Sequence, residues 1–486
     1  MVFNSGIFLS YFLPVFLLVY FLLPLRNLRN YWLLTASLLF YSWAAPIFVF
    51  ITIASGLADF LIASWIGGRK TGMCRILFWI SVSVNLGLLI YFKYLNFFID
   101  QFNIIIQRSG GKTVSWAMVL LPVGISFITF QRLSYIIDVY KKRITPYKRP
   151  DHYFLQMLMF PQVLSGPIVR TVQISGQITD RKANETLDDK LIGFCRFATG
   201  LAKKVLIADV LAVQVNLIFK LSSFELSTAT AWIGAIAYTF QIYFDFSGYT
   251  DMAIGIARML GFRLPENFNS PYVSASITEF WRRWHMTLGS WFRDYIFLPL
   301  AYKVSRGLPK EKYLGIRADK VIYLVATSVT FLLCGFWHGA AWTFILWGVY
   351  QGVFLILDRL FLLKVFKKAG RIPSIIITFL ITMFGWVLFR SPDLDYFRFY
   401  IRRMFMAQSH QNDIWLQPKF WVMLGIAVVF SFIGGSRKME KWQNRIYDRP
   451  GDRLLAAFCI LSLFFFVFGL AATLSAGFTP FIYFKF

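Results

Sequence analysis

Apolar runs of about 20 residues recur from one end of the chain to the other, each closed by a short basic or polar loop. As helix, a run of that length crosses roughly 30 Å of hydrocarbon. The pattern predicts an all-α polytopic membrane protein. The first run, Ser5 to Leu25, has neither a basic leader nor a small-residue cleavage site, so it is read as a retained span. Further spans are expected at about 31–43, 46–66, 76–97, 116–139, 196–221 and 228–255. Beyond these come a helical hairpin from Val321 to Leu363 and spans at about 372–389, 420–432 and 454–473.

Two stretches break the rhythm. Asp151 to Arg170 is short and carries Pro161, Gly166 and Pro167, which suits a re-entrant or interfacial element rather than a crossing helix. Thr171 to Lys190 is polar and reads as a loop. Between Arg258 and Lys320, Ser276 and Glu279 form an S-x-x-E box that starts a helix at Ile277. Continued, that helix places Trp281 and His285 on one face and Glu279 beside Arg282 and Arg283. It is then a tryptophan-rich amphipathic helix at the membrane interface.

Basic loops fix an orientation. Arg26 and Arg29, Arg69 to Arg75, Lys141 to Arg149, Lys303 to Lys320, Lys364 to Arg371 and Arg437 to Arg453 all fall on one side of this topology. By the positive-inside rule that side is cytoplasmic, which puts both termini outside. The same distribution explains the formal charge of +26 without nucleic acid, whose binding needs the cations clustered in a patch. Hydrophobic residues make up 57% of 486 and the mean hydropathy is +0.58, above the range of soluble domains. Cys74, Cys195, Cys334 and Cys459 stand singly, giving neither a disulfide framework nor a metal site. The whole chain, 1–486, is read as a single integral-membrane domain.

One histidine interrupts the hairpin. His338 sits in FLLCGFWHGAAWTFILWGVYQG, and an ionisable residue at membrane depth is a functional site by default. A run from Val321 to Trp337 rises roughly 25 Å as helix, so His338 belongs near the hairpin tip. Its ring can take and return a proton near neutrality. Gly335 and Gly339 beside it are expected to leave room for a substrate or another backbone.

The segments WRRWHMTLGSWFRDY at Trp281 and GFWHGAAWTFILWG at Gly335 resemble the paired signature of the membrane-bound O-acyltransferase family. The resemblance extends through LPVGISFITFQRLSYIIDVY at Leu121, FPQVLSGPIVR at Phe160, YFDFSGYTDMAIG at Tyr243, GFRLPENFNSPY at Gly261 and FGWVLFR at Phe384. It is strongest for the bacterial branch that includes the membrane subunit of alginate O-acetylation. It implies a ring of about 11–12 transmembrane helices, with re-entrant or interfacial helices, around a central funnel or tunnel. The core motifs lie at about 121–352.

It further implies that His338 is catalytic, with His285 as the second hallmark position. The co-substrate would be an acyl thioester from the cytoplasm, acetyl-CoA or a carrier-protein phosphopantetheine, with no tightly bound cofactor and no metal. An outward-facing acetyltransferase or esterase-like partner would complete transfer to a cell-surface polysaccharide at the bacterial inner membrane. D-alanyl transfer to teichoic acids and peptidoglycan O-acetylation remain alternatives, as does a proton-coupled transporter using His338 as relay, although no internal repeat is visible.

Around these histidines, Asp245, Tyr249 and Trp337 are candidates for orienting an imidazole or lining a tunnel. Arg282, Arg283 and Arg293 are candidates for donor phosphate, since guanidinium matches phosphate geometry. Tyr483, in the aromatic tail 478–486, is a candidate acyl relay, with interfacial anchoring as its plainer role. His152 and His410 lie in polar stretches and are expected to be solvated.

Overall fold

The computed structural model describes residues 1–68, 72–222, 225–313, 315–406, 415–448 and 450–476, and for 437 and 442–444 the backbone alone. His410 and the tail with Tyr483 lie outside the described residues. The regular secondary structure of the described chain is helical except for one antiparallel pair, Lys312–Tyr313 with Ile316–Arg317. By contact it clusters into two compact units, one built from Met1–Phe197 and Met252–Pro265 and the other from Ala198–Asp251 and Glu266–Ala472.

Seven helices among the described residues are long and apolar enough to cross a membrane. That is fewer than the 11–12 spans implied above, because several apolar runs are cut short or carry buried polar groups. The first forms a helix only over Phe8–Leu22; Leu23 is extended, as the residue before Pro24 must be. The expected span at 116–139 begins as helix only at Ile125, behind Pro122 and a Gly124 at φ +80°. A side chain at Gly124 would also meet the carbonyl of Val163, so this turn is restricted to glycine on two counts. The polar stretch after Arg170 is not a loop either. It holds helices Thr171–Thr179 and Leu187–Ala202, with Asp189 taken up by Arg258 at 3.1 Å.

In the first unit the polar residues of helix Ile125–Tyr140 serve the interior. Arg132 binds Asp59 at 2.6 Å, and the same carboxylate accepts from Ser81 and Asn85. A buried charge is tolerated when its partner and remaining hydrogen bonds are supplied together. The segment read as re-entrant begins with helix Pro150–Leu158 and continues as a short helix, Phe160–Val163, followed by irregular backbone, and residues 155–169 are buried throughout. Irregular backbone at membrane depth requires such enclosure.

The second unit holds both histidine motifs. Most of the long helix Thr228–Met259, up to Asp251, belongs to it. Helices Ala318–His338 and Trp342–Leu357 form the expected hairpin, with His338 the last helical residue before the turn.

Candidate functional site

The first motif is not one amphipathic helix. Ser276 caps a helix of five residues, Ile277–Trp281, by accepting from the Glu279 N–H at 3.0 Å, and a second helix begins only at Met286. Between them the backbone leaves its own ladder. Asn269 N–H donates to the Arg283 carbonyl and Met286 N–H to the Asn267 carbonyl, both at 2.9 Å. These bonds replace helical ones and leave His285 at the junction with φ +42°. Trp281 and His285 are therefore not on one helix face, and Trp284 and Trp291 are buried rather than spread at an interface.

His285 is fully buried and its Nδ1 lies 3.0 Å from Asn267 Oδ1. The same oxygen accepts from Thr287 N–H at 3.2 Å and from the Thr287 hydroxyl at 2.9 Å. A backbone N–H can only donate, so the Asn267 atom is an acceptor and His285 Nδ1 carries the proton. Nε2 then holds the lone pair, and among the described residues it has no hydrogen-bond partner. Burial, and after it the nearby His338, push this imidazole well below its ordinary value of 6.5, which keeps it neutral.

His338 shows the same arrangement. Its Nδ1 lies 2.7 Å from the Cys334 carbonyl one turn back. A carbonyl only accepts, so Nδ1 is again the protonated nitrogen and Nε2 the basic one. The ring is held edge-on by Trp337, Trp347 and Phe389 at centroid distances of 4.9, 4.7 and 5.6 Å. Trp337 also faces His285 at 6.3 Å, so one indole neighbours both imidazoles.

The glycines beside His338 do not make room for a substrate. A Cβ on Gly335 would lie 2.9 Å from Gly348 Cα, and one on Gly339 would run into the Phe344 ring. They let the two arms of the hairpin touch, which fixes His338 relative to Trp347. Space lies elsewhere. A cavity of about 450 Å³ is lined by Thr278, Trp281, Arg282, Met286, Arg293 and Cys334, among others. It runs from two exposed arginines to the buried Cys334, whose carbonyl holds His338, and touches Met286, the neighbour of His285.

The three arginines separate. Arg282 lines the cavity and makes no ion pair among the described residues; Arg293 lines it while bound to Asp294 at 2.8 Å. Arg283 bonds Glu279 at 3.0 Å and the Asn269 carbonyl at 3.2 Å, which makes it part of the motif's scaffold. Asp245 is engaged by Lys204 at 2.5 Å, and Lys204 also binds Asp209 at 2.7 Å. The Nδ1 partners that orient the imidazoles are thus Asn267 and the Cys334 carbonyl. Tyr249 is buried one turn along from Asp245. His152 is half-buried beside Asp151, and no cluster of metal-ligating side chains occurs among the described residues. Asn267 sits inside a segment already conspicuous in the sequence, but nothing in one chain's residues ties it to a histidine 18 positions later.

Residues 146–390 match the membrane-bound O-acyltransferase family. The chain is 42% identical over 397 residues to the probable alginate O-acetylase AlgI of Azotobacter vinelandii, across 81% of this chain and 76% of that protein. It is 35% identical over 429 residues to the peptidoglycan O-acetyltransferase of Helicobacter pylori, across 81% and 78%. Similarity to the teichoic acid D-alanyltransferase of Bacillus subtilis is 31% over 281 residues, across 55% and 68%.

Proposed function

Because the chain belongs to the membrane-bound O-acyltransferase family, we propose that this multi-pass enzyme moves an acetyl group from a cytoplasmic thioester toward hydroxyls of an exported polysaccharide, with alginate-type O-acetylation as its task. Family membership sets the transporter reading aside. The observation that carries the chemistry is the His338 tautomer: Nδ1–H is committed to the Cys334 carbonyl, so the basic lone pair is on Nε2.

As an acceptor oxygen attacks the thioester carbonyl, Nε2 takes the hydroxyl proton. The C–S bond then breaks and the proton passes to the departing thiolate, so an ester and a free thiol result. A positioned general base of this kind contributes about 10² to 10⁴-fold. The donor's pantetheine arm would lie in the cavity, with Arg282 and Arg293 on its phosphate and the thioester toward Cys334. Acetyl-CoA and a phosphopantetheine carrier share that chemistry. An outward-facing partner would receive the acetyl group, and Tyr483 is proposed as its relay.

Acetyl transfer to peptidoglycan is the second reading, favoured by the similarity to the Helicobacter pylori protein over most of both chains. Cells given radioactive acetate should label a surface polymer with the wild-type protein and not with His338→Ala. Labelling that continues in a stably folded His338→Ala protein would sink the mechanism. Hydrolysis of the labelled polymer to uronate or muramate ester separates the two acceptors.

A further inference from the structure

The wall of the cavity that carries Trp281, with Arg282 just past its end, is a helix of five residues, too short to hold its own conformation in isolation. Two buried side chains from the second arm of the hairpin grip it. Asp358, 1% exposed, accepts from the Thr278 N–H at 2.8 Å, and Gln351, wholly buried, accepts from Trp281 Nε1–H at 3.2 Å. An indole N–H only donates, so the Gln351 oxygen is the atom turned to Trp281.

These two positions follow Trp347 by 4 and 11 residues along the helix, which continues past Leu357 without a break to Ala369, a spacing that puts all three on one face. Trp347 packs on Trp281 at 5.8 Å and on His338 at 4.7 Å. A single helical stripe therefore touches the imidazole at one end and, further along, holds two points of the cavity wall. We propose that Gln351 and Asp358 are positioning residues, which fix the wall made by Thr278, Trp281 and Arg282 at a set distance from His338 and so set how the donor thioester is presented.

The bond to Asp358 explains why the helix can begin where it does. The first N–H groups of a helix lack partners inside it. Here Ser276 satisfies that of Glu279 and Asp358 that of Thr278. Asparagine at 358 retains an acceptor oxygen; alanine does not. Methionine at 351 keeps the bulk and loses the acceptor.

The test uses the full-length protein purified in detergent, with Gln351→Met, Asp358→Ala and Asp358→Asn. One arm measures the rate at which a small methanethiosulfonate labels Cys334, which lines the cavity, by peptide mass spectrometry. The other measures acetyl transfer against acetyl-CoA concentration, normalised to monodisperse protein. Gln351→Met and Asp358→Ala should each speed Cys334 labelling several-fold and raise the KM for acetyl-CoA about tenfold, the worth of one buried hydrogen bond. The maximal rate should change less, and Asp358→Asn should stay near wild type. A purely structural role would lower the maximal rate per total protein and leave KM alone. Wild-type labelling in Gln351→Met overturns the proposal, as does Asp358→Asn behaving like Asp358→Ala. If Asp358→Ala does not fold, the other two variants decide. A wild-type protein that does not use acetyl-CoA overturns that donor assignment and leaves the labelling arm to judge the clamp.

Discussion

The His338 ring is tied at 2.7 Å to the carbonyl of Cys334, and this bond determines which nitrogen is basic. Glutamine at 338 can still donate to that carbonyl but cannot act as a base near neutrality. His338→Gln should therefore fold and lose about 10² to 10⁴-fold in rate. Initial rates of labelled acetyl transfer, with circular dichroism as the folding control, check it.

Asn267 gathers three donors on one oxygen. Asn267→Leu strands those donors in a buried setting, at a cost of about 1–3 kcal/mol for each one left unsatisfied. It also frees the His285 ring to change tautomer. The expected result is a lower unfolding temperature together with a rate loss that Asn267→Asp, which keeps an acceptor, partly restores.

Neutral burial of His285 gives a pH dependence with a definite sign. Its folded value lies well below 6.5, so below pH 6.5 the unfolded chain binds the proton more readily than the folded one. Stability contributed by this site is present above that pH and is lost as pH falls through it. Thermal unfolding followed from pH 7.5 to 5.5 should show a falling midpoint, with a shallower fall in His285→Asn.

The contact of Gly335 with Gly348 leaves no room for a methyl group. Gly335→Ala should force the hairpin arms apart, destabilising the protein by about 1–3 kcal/mol. Because His338 lies three residues on, the rate should fall more than the folded fraction does. Comparing activity with monodisperse yield separates the two.

Lys204 is the shared cation of Asp209 and Asp245. Lys204→Met leaves both carboxylates without it, at about 3–5 kcal/mol for a broken buried pair. Adding Asp209→Asn and Asp245→Asn should recover part of the loss, as measured by detergent thermostability.

The helical class and the place of His338 at the hairpin tip were legible because both rest on run length and loop charge. Helix boundaries failed wherever tertiary structure supplied the reason. Gly124 breaks a run that hydropathy alone continues, since its turn packs on Val163. The helix expected through His285 stops because residues 267–269 offer its backbone other partners. Gly335 was legible as a site of close approach, but not that a second helix is what approaches. Asn267, Gln351 and Asp358 act on residues 18, 70 and 80 positions away, a distance over which one sequence carries no pairing signal.

At position 285 two separate demands meet on one codon. The ring is fully buried with its lone pair on Nε2, while the main chain sits at φ +42°, where most side chains cost about 1–3 kcal/mol. Histidine tolerates that region better than alanine does, so an alanine scan would conflate lost chemistry with a bent backbone. Asparagine, which also accepts the bend, is the replacement that isolates the ring's contribution.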